Sequence, residues 1–125
     1  MLNGNSKARR VLVVEDEPIL AMNIEDMLTE LGHLVTATAT RIDKALSLAE
    51  GGEFNLAALD INLAGSNTFQ VAAILRRRGI PFIFTSGYGA DDLVDGYRRA
   101  HLLTKPFGLN DLEHMIALAL SADVA

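Results

Sequence analysis

The sequence contains no cysteine among its 125 residues. This absence excludes disulfide bonds, zinc sites built from thiolates and catalysis by a thiol nucleophile. The sequence also lacks an apolar run long enough to span a bilayer, and it lacks the pattern of a signal peptide. Together these absences predict a cytoplasmic protein that has no membrane partner.

Positive charge is also scarce, since 11 lysines and arginines face 16 aspartates and glutamates and leave a net charge of −5. Non-specific binding to nucleic acid usually needs a basic face, so we expect no nucleic-acid partner. Arginine clusters at 76–78 and 98–99 are the local exceptions, and we interpret them as solvated helix ends. The length is typical of one domain. We expect that domain over residues 9–122, after a disordered N terminus at 1–8.

Short apolar runs alternate with longer amphipathic runs along the chain. Strands are predicted at residues 11–14, 35–39, 56–59, 81–85 and 102–104. Helices are predicted at residues 18–31, 40–50 and 68–78, with a poorly patterned one at 91–99 and a last one capped at residue 110. This alternation predicts an α/β fold in which a parallel sheet carries helices on both faces.

Signals for helix ends accompany several of these runs. Pro18 suits the first turn of the first helix, and Gly32 suits its C-terminal cap. Thr40 with Asp43 resembles a capping box that would open the second helix. Asn110 is the expected N-cap of the last helix.

Charged and polar residues stand at the carboxyl ends of four predicted strands. Glu15 and Asp16 follow the first strand, and Asp60 follows the third. Ser86 ends the fourth strand, and Lys105 follows the fifth. In open parallel sheets, ligands bind beyond the carboxyl ends of the strands. With the strand order 2-1-3-4-5, all of these side chains would face one crevice.

Such a crevice would bring three carboxylates together. They would repel one another by roughly 3 kcal/mol per pair at about 5 Å and an effective dielectric constant of about 20. A hard cation would relieve that repulsion, and ligation by oxygen alone favours Mg²⁺. A carboxylate beside bound Mg²⁺ can attack a phosphoryl group. The serine hydroxyl and the lysine ammonium can then bind its oxygens, and Gly87 would let the backbone approach closely.

Each of these residues also has an ordinary structural interpretation. Asp16 stands where a helix N-cap is expected, and Asp60 alone is compatible with a turn. Ser86 with Gly87 is compatible with a turn, and Lys105 with an exposed lysine before a turn proline. Their joint placement at the ends of four strands favours a common site.

Four stretches of the chain carry a family resemblance: VLVVEDEP, LAALDINL, PFIFTSGYG and LLTKPF. Together they resemble the receiver domain of bacterial two-component response regulators, over residues 9–122. The resemblance implies a flavodoxin-like (βα)5 fold with five helices and a five-stranded parallel sheet in the order 2-1-3-4-5. The stretch between Ser86 and Lys105 is short for a full fourth helix and a fifth strand, so we expect the fourth helix to be short or poorly ordered.

The resemblance implies a role for each acidic residue. Asp60 matches the aspartate that accepts a phosphoryl group from a histidine kinase. Glu15 and Asp16 match the acidic pair that binds Mg²⁺, which Asp60 and the main-chain carbonyl of Asn62 also bind. Mg²⁺ is therefore the expected cofactor.

The resemblance extends to the other strand ends. Ser86 and Lys105 match the two residues that stabilise the transferring phosphoryl group, and the bond from Lys105 to Pro106 is cis in relatives. The chain departs from the family at Leu102, which stands where the switch aromatic is expected. The usual rotamer switch between a serine and that aromatic residue therefore cannot operate in its usual form.

The stretch FTSGYG resembles the FATGUY subgroup of receivers, in which the switch aromatic is absent and the kinases tend to be of the HWE type. The match is inexact, because Thr85 and Ser86 replace an alanine and a threonine. Tyr88 is the candidate aromatic reporter, and a loop aromatic packed on the rim is the alternative. The remaining members of the expected switch region are Gly87, Leu102 and Pro106.

The resulting hypothesis is a single-domain response regulator, not a metabolic enzyme. It would catalyse its own phosphorylation from phosphohistidine and its own dephosphorylation, and act as a signalling switch or as a phosphate carrier or sink. Its partners would be a sensor histidine kinase and an unknown downstream or phosphotransfer protein. We expect a monomer, with a phosphorylation-dependent dimer as the alternative. No output domain follows the last helix in this sequence, so we expect a stand-alone or an excised receiver.

Two other functions are compatible with parts of the pattern. A phosphorylation-independent docking module of the same fold, a pseudo-receiver, usually loses the acidic pair, the aspartate or the lysine, and this chain keeps them all. A haloacid-dehalogenase-like phosphatase also uses an aspartate and Mg²⁺. It expects a second acid where Asn62 stands, and it places its nucleophile on the first strand. The receiver hypothesis is therefore preferred.

Overall fold

The computed structural model describes residues 8–124, so the predicted disordered N terminus lies almost wholly outside the described residues. The strands are β1 Arg10–Val14, β2 Leu34–Ala39, β3 Leu56–Asp60, β4 Asn62–Leu63, β5 Ser66–Asn67, β6 Phe82–Ser86 and β7 Leu102–Thr104. The α-helices are α1 Pro18–Glu30, α2 Ile42–Gly51, α3 Phe69–Arg77 and α4 Leu109–Val124. Within residues 8–124, no helix is both long enough and apolar enough to cross a bilayer.

Five strands form one parallel sheet in the order β2-β1-β3-β6-β7. This order confirms the predicted 2-1-3-4-5 arrangement, because β4 and β5 pair only with each other as a small antiparallel hairpin. Strands β1 and β3 are neighbours, with Val14 opposite Leu59. The residues that follow these two strands therefore begin side by side at one edge of the sheet.

The central strands are apolar because both of their faces are covered. Alternate residues of β1 enter two separate clusters, with Leu12 in one and Val13 in the other. Helices α2 and α3 supply side chains to the first cluster, and α1 and α4 supply side chains to the second. A strand buried on both faces reads as a continuous apolar run, which is the pattern that predicted it.

The described residues 8–124 contain four α-helices and not five, and the expectation of a short or poorly ordered fourth helix is confirmed. A 3₁₀ helix at Gly89–Asp92 and an irregular segment at 93–101 stand where the fourth helix was expected. Gly96 in this segment has φ +91°, a conformation that an α-helix cannot contain. The segment is instead fastened by individual side chains, which are described with the site below.

Two helix caps also differ from prediction. The N-cap of α2 is Arg41 and makes no side-chain capping bond, so Thr40 and Asp43 form no capping box. The chain is still extended at Arg41, which moves the first helical turn one residue past the position that a Thr40 cap requires. Asn110 lies inside α4. The carboxylate of Asp111 instead accepts a hydrogen bond from the N–H of Gly108 at 2.9 Å.

The signals that bound α1 are confirmed. Pro18 occupies the first turn, where its missing N–H costs nothing because that group would have no helical partner. Gly32 follows the C-cap with φ +92°, a left-handed conformation in which glycine has no Cβ to clash. The chain therefore turns sharply from α1 into β2.

Candidate functional site

Three carboxylates meet at the carboxyl end of the sheet. Ligand oxygens of Glu15, Asp16 and Asp60 all lie within 4.8 Å of one another. Glu15 is 0% exposed and Asp60 is 6% exposed, while Asp16 is partly exposed. Asp16 is not the N-cap of α1, because that position is Glu17 and carries no side-chain capping bond. The side chain of Asp16 is therefore available to the cluster.

Lys105 supplies the positive charge of the site. Its Nζ lies 3.0 Å from Oε1 of Glu15 and 3.2 Å from Oδ2 of Asp60. The N–H of Lys105 donates to the carbonyl of Ser86 at 2.8 Å, which fixes its main chain beside the end of β6. The peptide bond from Lys105 to Pro106 is cis. Burial lowers the pKa of Lys105, but the hydrogen bond to Glu15 and the two nearby carboxylates outweigh it, so the pKa is raised. The ammonium therefore stays charged.

Asp60 has an unusual affinity for its proton. Burial, followed by repulsion from Glu15, raises the pKa of Asp60 from 3.8 to about 6, against the opposing effects of Lys105 and of the N–H of Asn62. One ammonium thus compensates only part of the negative charge that three carboxylates bring together. The site has a deficit of positive charge when only the protein's own groups are counted.

The donor set fits a hard divalent cation. The cluster offers carboxylate oxygens and no imidazole or thiolate, which is the ligand chemistry that Mg²⁺ prefers. Asn62 lines the same cavity, and its N–H donates to Oδ1 of Asp60 at 3.3 Å. This hydrogen bond holds Asn62 beside the three carboxylates, so its main-chain carbonyl belongs to a residue next to the cluster. A dication would also supply the positive charge that the site lacks.

The cavity above the cluster has a volume of about 290 Å³. A water molecule takes about 30 Å³ in the liquid, so the space admits a small polar group with several waters. Four of the strand-end residues that the sequence singled out line the cavity, namely Asp16, Asp60, Ser86 and Lys105, together with Gly87, Tyr88 and Asp92. Glu15 is fully buried and is not among the lining residues. The crevice expected from the strand order therefore exists, and it is small and polar.

The hydroxyl of Ser86 already makes two hydrogen bonds within the protein. This hydroxyl, in a residue that is 1% exposed, donates a hydrogen bond to Oδ2 of Asp92 and accepts one from the N–H of Tyr88 at 3.0 Å. Sequence reasoning missed Asp92, because it considered only the residues that directly follow a strand. No local signal in the sequence marks Asp92, which reaches Ser86 through the turn of the 3₁₀ helix.

The neighbouring switch residues occupy different environments. Thr85 is buried, and its Oγ1 has no hydrogen-bond partner, the only such side-chain atom among the residues that the structure describes. Leu102 is half-buried against the core cluster that includes Phe84. Tyr88 is 79% exposed. Its ring therefore lies in solvent, while its main chain contacts Ser86.

Tyr97 is an aromatic residue that sequence reasoning overlooked. Its ring centroid lies 5.2 Å from that of Phe69 and 5.8 Å from that of Phe84, and its hydroxyl donates to the carbonyl of Phe69 at 3.3 Å. The guanidinium of Arg76 lies 4.3 Å from the ring centroid and donates to the carbonyl of Gly96 at 2.9 Å. These contacts fasten the irregular segment to α3 and β6.

We expect Asp60→Asn to stabilise the fold in Mg²⁺-free buffer near neutral pH by about 1–3 kcal/mol. Because the native pKa of Asp60 is raised, its ionisation costs nothing below 3.8, costs progressively more as the pH rises, and reaches its full cost above about 6. The gain should therefore vanish in acid. Urea denaturation across this pH range measures it.

The control for this prediction is Asp43→Asn, which removes the same charge from an exposed site in α2. It should change the free energy of unfolding by less than about 0.5 kcal/mol at any pH. Equal curves for wild type and Asp60→Asn above pH 6 would contradict the raised pKa of Asp60.

Comparison with known proteins identifies the family of this chain. A family model described as the response regulator receiver domain matches residues 11–117, a range that includes the whole site. The transcriptional regulatory protein TcrA of Mycobacterium tuberculosis is 35% identical over 119 residues, which cover 87% of this chain and 45% of TcrA. The chain spans about half the length of the curated relatives it matches.

Solved structures give the same fold. The anti-anti-sigma factor PhyR from Bartonella quintana superposes with a TM-score of 0.80 at 33% identity, over 93% of this chain and 49% of that one. The solution structure of SdrG from Sphingomonas melonis Fr1 superposes with a TM-score of 0.75 at 38% identity, over 94% of this chain and 98% of that one. The second structure is thus matched over nearly its whole length.

Proposed function

This chain belongs to the response regulator receiver domain family, and from that premise we propose that it accepts a phosphoryl group from a histidine kinase on Asp60. One observation carries the proposal. Asp60 shares a polar cavity with Asp16 and Lys105, and its carboxylate contacts the lysine ammonium at 3.2 Å. A nucleophile, a cation-binding acid and a fixed positive charge are the parts that phosphoryl transfer needs.

In the proposed reaction, an oxygen of Asp60 attacks the phosphorus of a phosphohistidine. A phosphorus–oxygen bond forms as the phosphorus–nitrogen bond breaks, and the imidazole leaves with the kinase. Lys105 neutralises charge on the transferring oxygens, and the N–H of Asn62 orients the attacking carboxylate. Glu15 holds Lys105 in position through the 3.0 Å ion pair. When bound by Glu15, Asp16, Asp60 and the carbonyl of Asn62, Mg²⁺ would add charge stabilisation to the phosphoryl oxygens.

Hydrolysis of phosphorylated Asp60 would end the signal. An acyl phosphate on Asp60 is open to attack by water from the cavity of about 290 Å³. The products are inorganic phosphate and the original carboxylate. The chain would therefore act as its own phosphatase, and the cavity walls would set the lifetime of the phosphorylated form.

A face next to the site suits the kinase. A groove of about 560 Å³ runs between α1 and the loop after β7, with Leu20, Met27 and Phe107 among its lining residues. Lys105 also lines it, so an occupant would lie beside the phosphorylation site. Ile19 and Met22 add exposed apolar side chains on α1. We assign this face to the histidine kinase, whose HWE type stays a prediction from the stretch FTSGYG.

A second candidate is a docking module that acts independently of phosphorylation. The similarity to PhyR of Bartonella quintana favours it, because that protein is named an anti-anti-sigma factor and so works through protein partners. The irregular segment at 93–101 offers a surface for such a partner, with Val94 exposed. Both candidates share docking, and they differ in whether phosphorylation of Asp60 controls it.

Intact-protein mass spectrometry after incubation with acetyl phosphate tests the proposal. Wild type with Mg²⁺ should gain the mass of one phosphoryl group, because Asp60 is the nucleophile. Neither wild type with EDTA nor Asp60→Ala should gain it. Asp43→Ala, which removes an exposed aspartate, should behave as wild type.

A mass gain that persists in Asp60→Ala would place the modification elsewhere and refute the assignment. Absence of any gain in wild type, together with no binding of beryllofluoride in the presence of Mg²⁺, would favour the phosphorylation-independent docking module.

A further inference from the structure

The hydroxyl of Ser86 has one proton and uses it to donate a hydrogen bond to Asp92. A hydroxyl can donate only one hydrogen bond at a time. Ser86 is 1% exposed, and its oxygen also accepts the N–H of Tyr88. In this arrangement the hydroxyl cannot donate to a phosphoryl oxygen on Asp60.

Electrostatic repulsion also opposes the simultaneous presence of the Ser86–Asp92 hydrogen bond and a phosphoryl group on Asp60. Asp92 lines the same cavity as Asp16 and Asp60. A phosphoryl group carries about −1.5 to −2 charges at neutral pH, so its arrival on Asp60 would repel the Asp92 carboxylate. The Ser86 hydroxyl would then donate its hydrogen bond to a phosphoryl oxygen instead of to the Asp92 carboxylate.

Asp92 is also the link between the site and the irregular segment. It is the last residue of the 3₁₀ helix, and the next residue, Leu93, is buried in the core. At the N-terminal end of the segment, the main-chain hydrogen bonds span single turns, from Leu93 to Ala90 and from Tyr97 to Val94. The end of the segment that precedes the Tyr97 anchor has only these single-turn bonds, so it can rearrange once its side-chain attachment at Asp92 is released.

We propose that Asp92 is a positioning residue that holds the Ser86 hydroxyl away from the phosphoryl-binding position. Through its hydrogen bond to Ser86, it also fixes the N-terminal end of the 93–101 segment while Asp60 is unphosphorylated. The inference rests on the proposed acceptance of a phosphoryl group by Asp60. Phosphorylation breaks the bond between Ser86 and Asp92 and thereby frees the N-terminal end of the segment. Asp92 weakens the binding of the phosphoryl group, and it couples that binding to a rearrangement of the 93–101 segment at the surface.

Affinity for beryllofluoride, a stable phosphoryl mimic, tests this assignment in the presence of Mg²⁺. Asp92→Asn and Asp92→Ala should both bind it more tightly than wild type, with the alanine variant about tenfold tighter, since a hydrogen bond to a charged group contributes about this much. The matched control is Asp91→Asn, which removes the same charge from the exposed neighbouring position. It should change the affinity by less than about twofold, because solvent screens an exposed charge.

A double-mutant cycle separates a specific contact from a general effect on the loop. In a Ser86→Ala background, Asp92→Ala should tighten binding less than it does with Ser86 present, because the competition for the hydroxyl is gone and only the repulsion between Asp92 and the phosphoryl mimic remains. Amide spectra of residues 93–101 should show that ligand-free Asp92→Ala already resembles the beryllofluoride-bound wild type.

Four results would overturn the inference. Wild-type affinity in Asp92→Ala would show that Asp92 does not compete. An equal gain in Asp91→Asn, or an undiminished gain in the Ser86→Ala background, would show a general charge effect. If neither wild type nor Asp92→Ala binds beryllofluoride, phosphoryl acceptance by Asp60 fails and this inference fails with it, whereas equal binding by both proteins would overturn this inference alone.

Discussion

Lys105→Met should lower the rate of phosphoryl transfer to Asp60 by about 100- to 1000-fold, as expected when one fixed charge donor is removed from a reacting oxyanion. Lys105 is the only cationic side chain among the described residues that contacts Asp60, at 3.2 Å. Its ammonium also contacts buried Glu15. Methionine keeps the length and apolar stem of lysine and removes only the charge and the donors.

The same substitution should cost stability. It leaves the carboxylates of Glu15 and Asp60 buried without their cation, and breaking a buried pair in this way costs on the order of 3–5 kcal/mol. Mg²⁺ should restore part of the lost stability, because it supplies positive charge to the same cluster. Rates should therefore be compared under conditions in which circular dichroism shows both proteins folded.

Quench-flow with phosphorylated histidine kinase, or the initial rate with acetyl phosphate, measures the effect. Lys44→Met is the matched control, since Lys44 is an exposed lysine of α2 outside the site. It should transfer at the wild-type rate. If folded Lys105→Met also transferred at the wild-type rate, Lys105 would have no part in the chemistry.

Tyr97→Ala should destabilise the protein by about 2–4 kcal/mol, somewhat less than the loss of a fully buried aromatic ring. The ring packs against Phe69 and Phe84, and the guanidinium of Arg76 lies over it at 4.3 Å. Without the ring, the irregular segment loses its main attachment to the sheet. Amide exchange within residues 93–101 should accelerate more than exchange in β1.

The chain contains its own control for this prediction. Tyr88 is the other tyrosine and is 79% exposed, so Tyr88→Ala should change the free energy of unfolding by less than about 0.5 kcal/mol. Tyr97→Phe keeps the ring and loses only the hydroxyl bond to Phe69, so it should cost about 1 kcal/mol. Similar costs for Tyr88→Ala and Tyr97→Ala would contradict the anchoring role of Tyr97.

The parts of the fold that were predictable are those with a recognisable pattern of apolar residues, either continuous or at helical spacing. The apolar runs at residues 11–14 and 56–59 are strands because both faces are covered, and the chain signals this by continuous apolar residues. The helix over α3 was predictable for the complementary reason, since its buried residues recur at helical spacing. The capping box at Thr40 was wrong, because the exact start of a helix depends on how the preceding strand leaves the sheet.

The segment after β6 was the least predictable part of the chain. Its poor pattern indicated that a regular helix was doubtful, but a weak pattern does not say what replaces a helix. Tyr97 packs against residues of α3 and β6 that lie far away in sequence. Tyr88 was selected as the aromatic of interest because it stands in the recognisable stretch FTSGYG, and its ring lies in solvent.

The sequence pattern by itself determined the membership of the acidic cluster, whereas the strand order was predicted from the family resemblance and is confirmed by the structure. A parallel α/β sheet delivers the residue after each strand to one edge, so a polar residue that ends an apolar run is placed by local pattern alone. Glu15, Asp60 and Lys105 were found in this way and lie within contact of one another.

Only the tertiary structure decided what Ser86 contacts and what fastens the 93–101 segment. The bond from Ser86 to Asp92 and the packing of Tyr97 arise in a stretch with no period, where the path of the chain is set by side chains finding partners on other elements. Such contacts depend on the direction in which a turn leaves the sheet. No repeating pattern in the sequence records that direction.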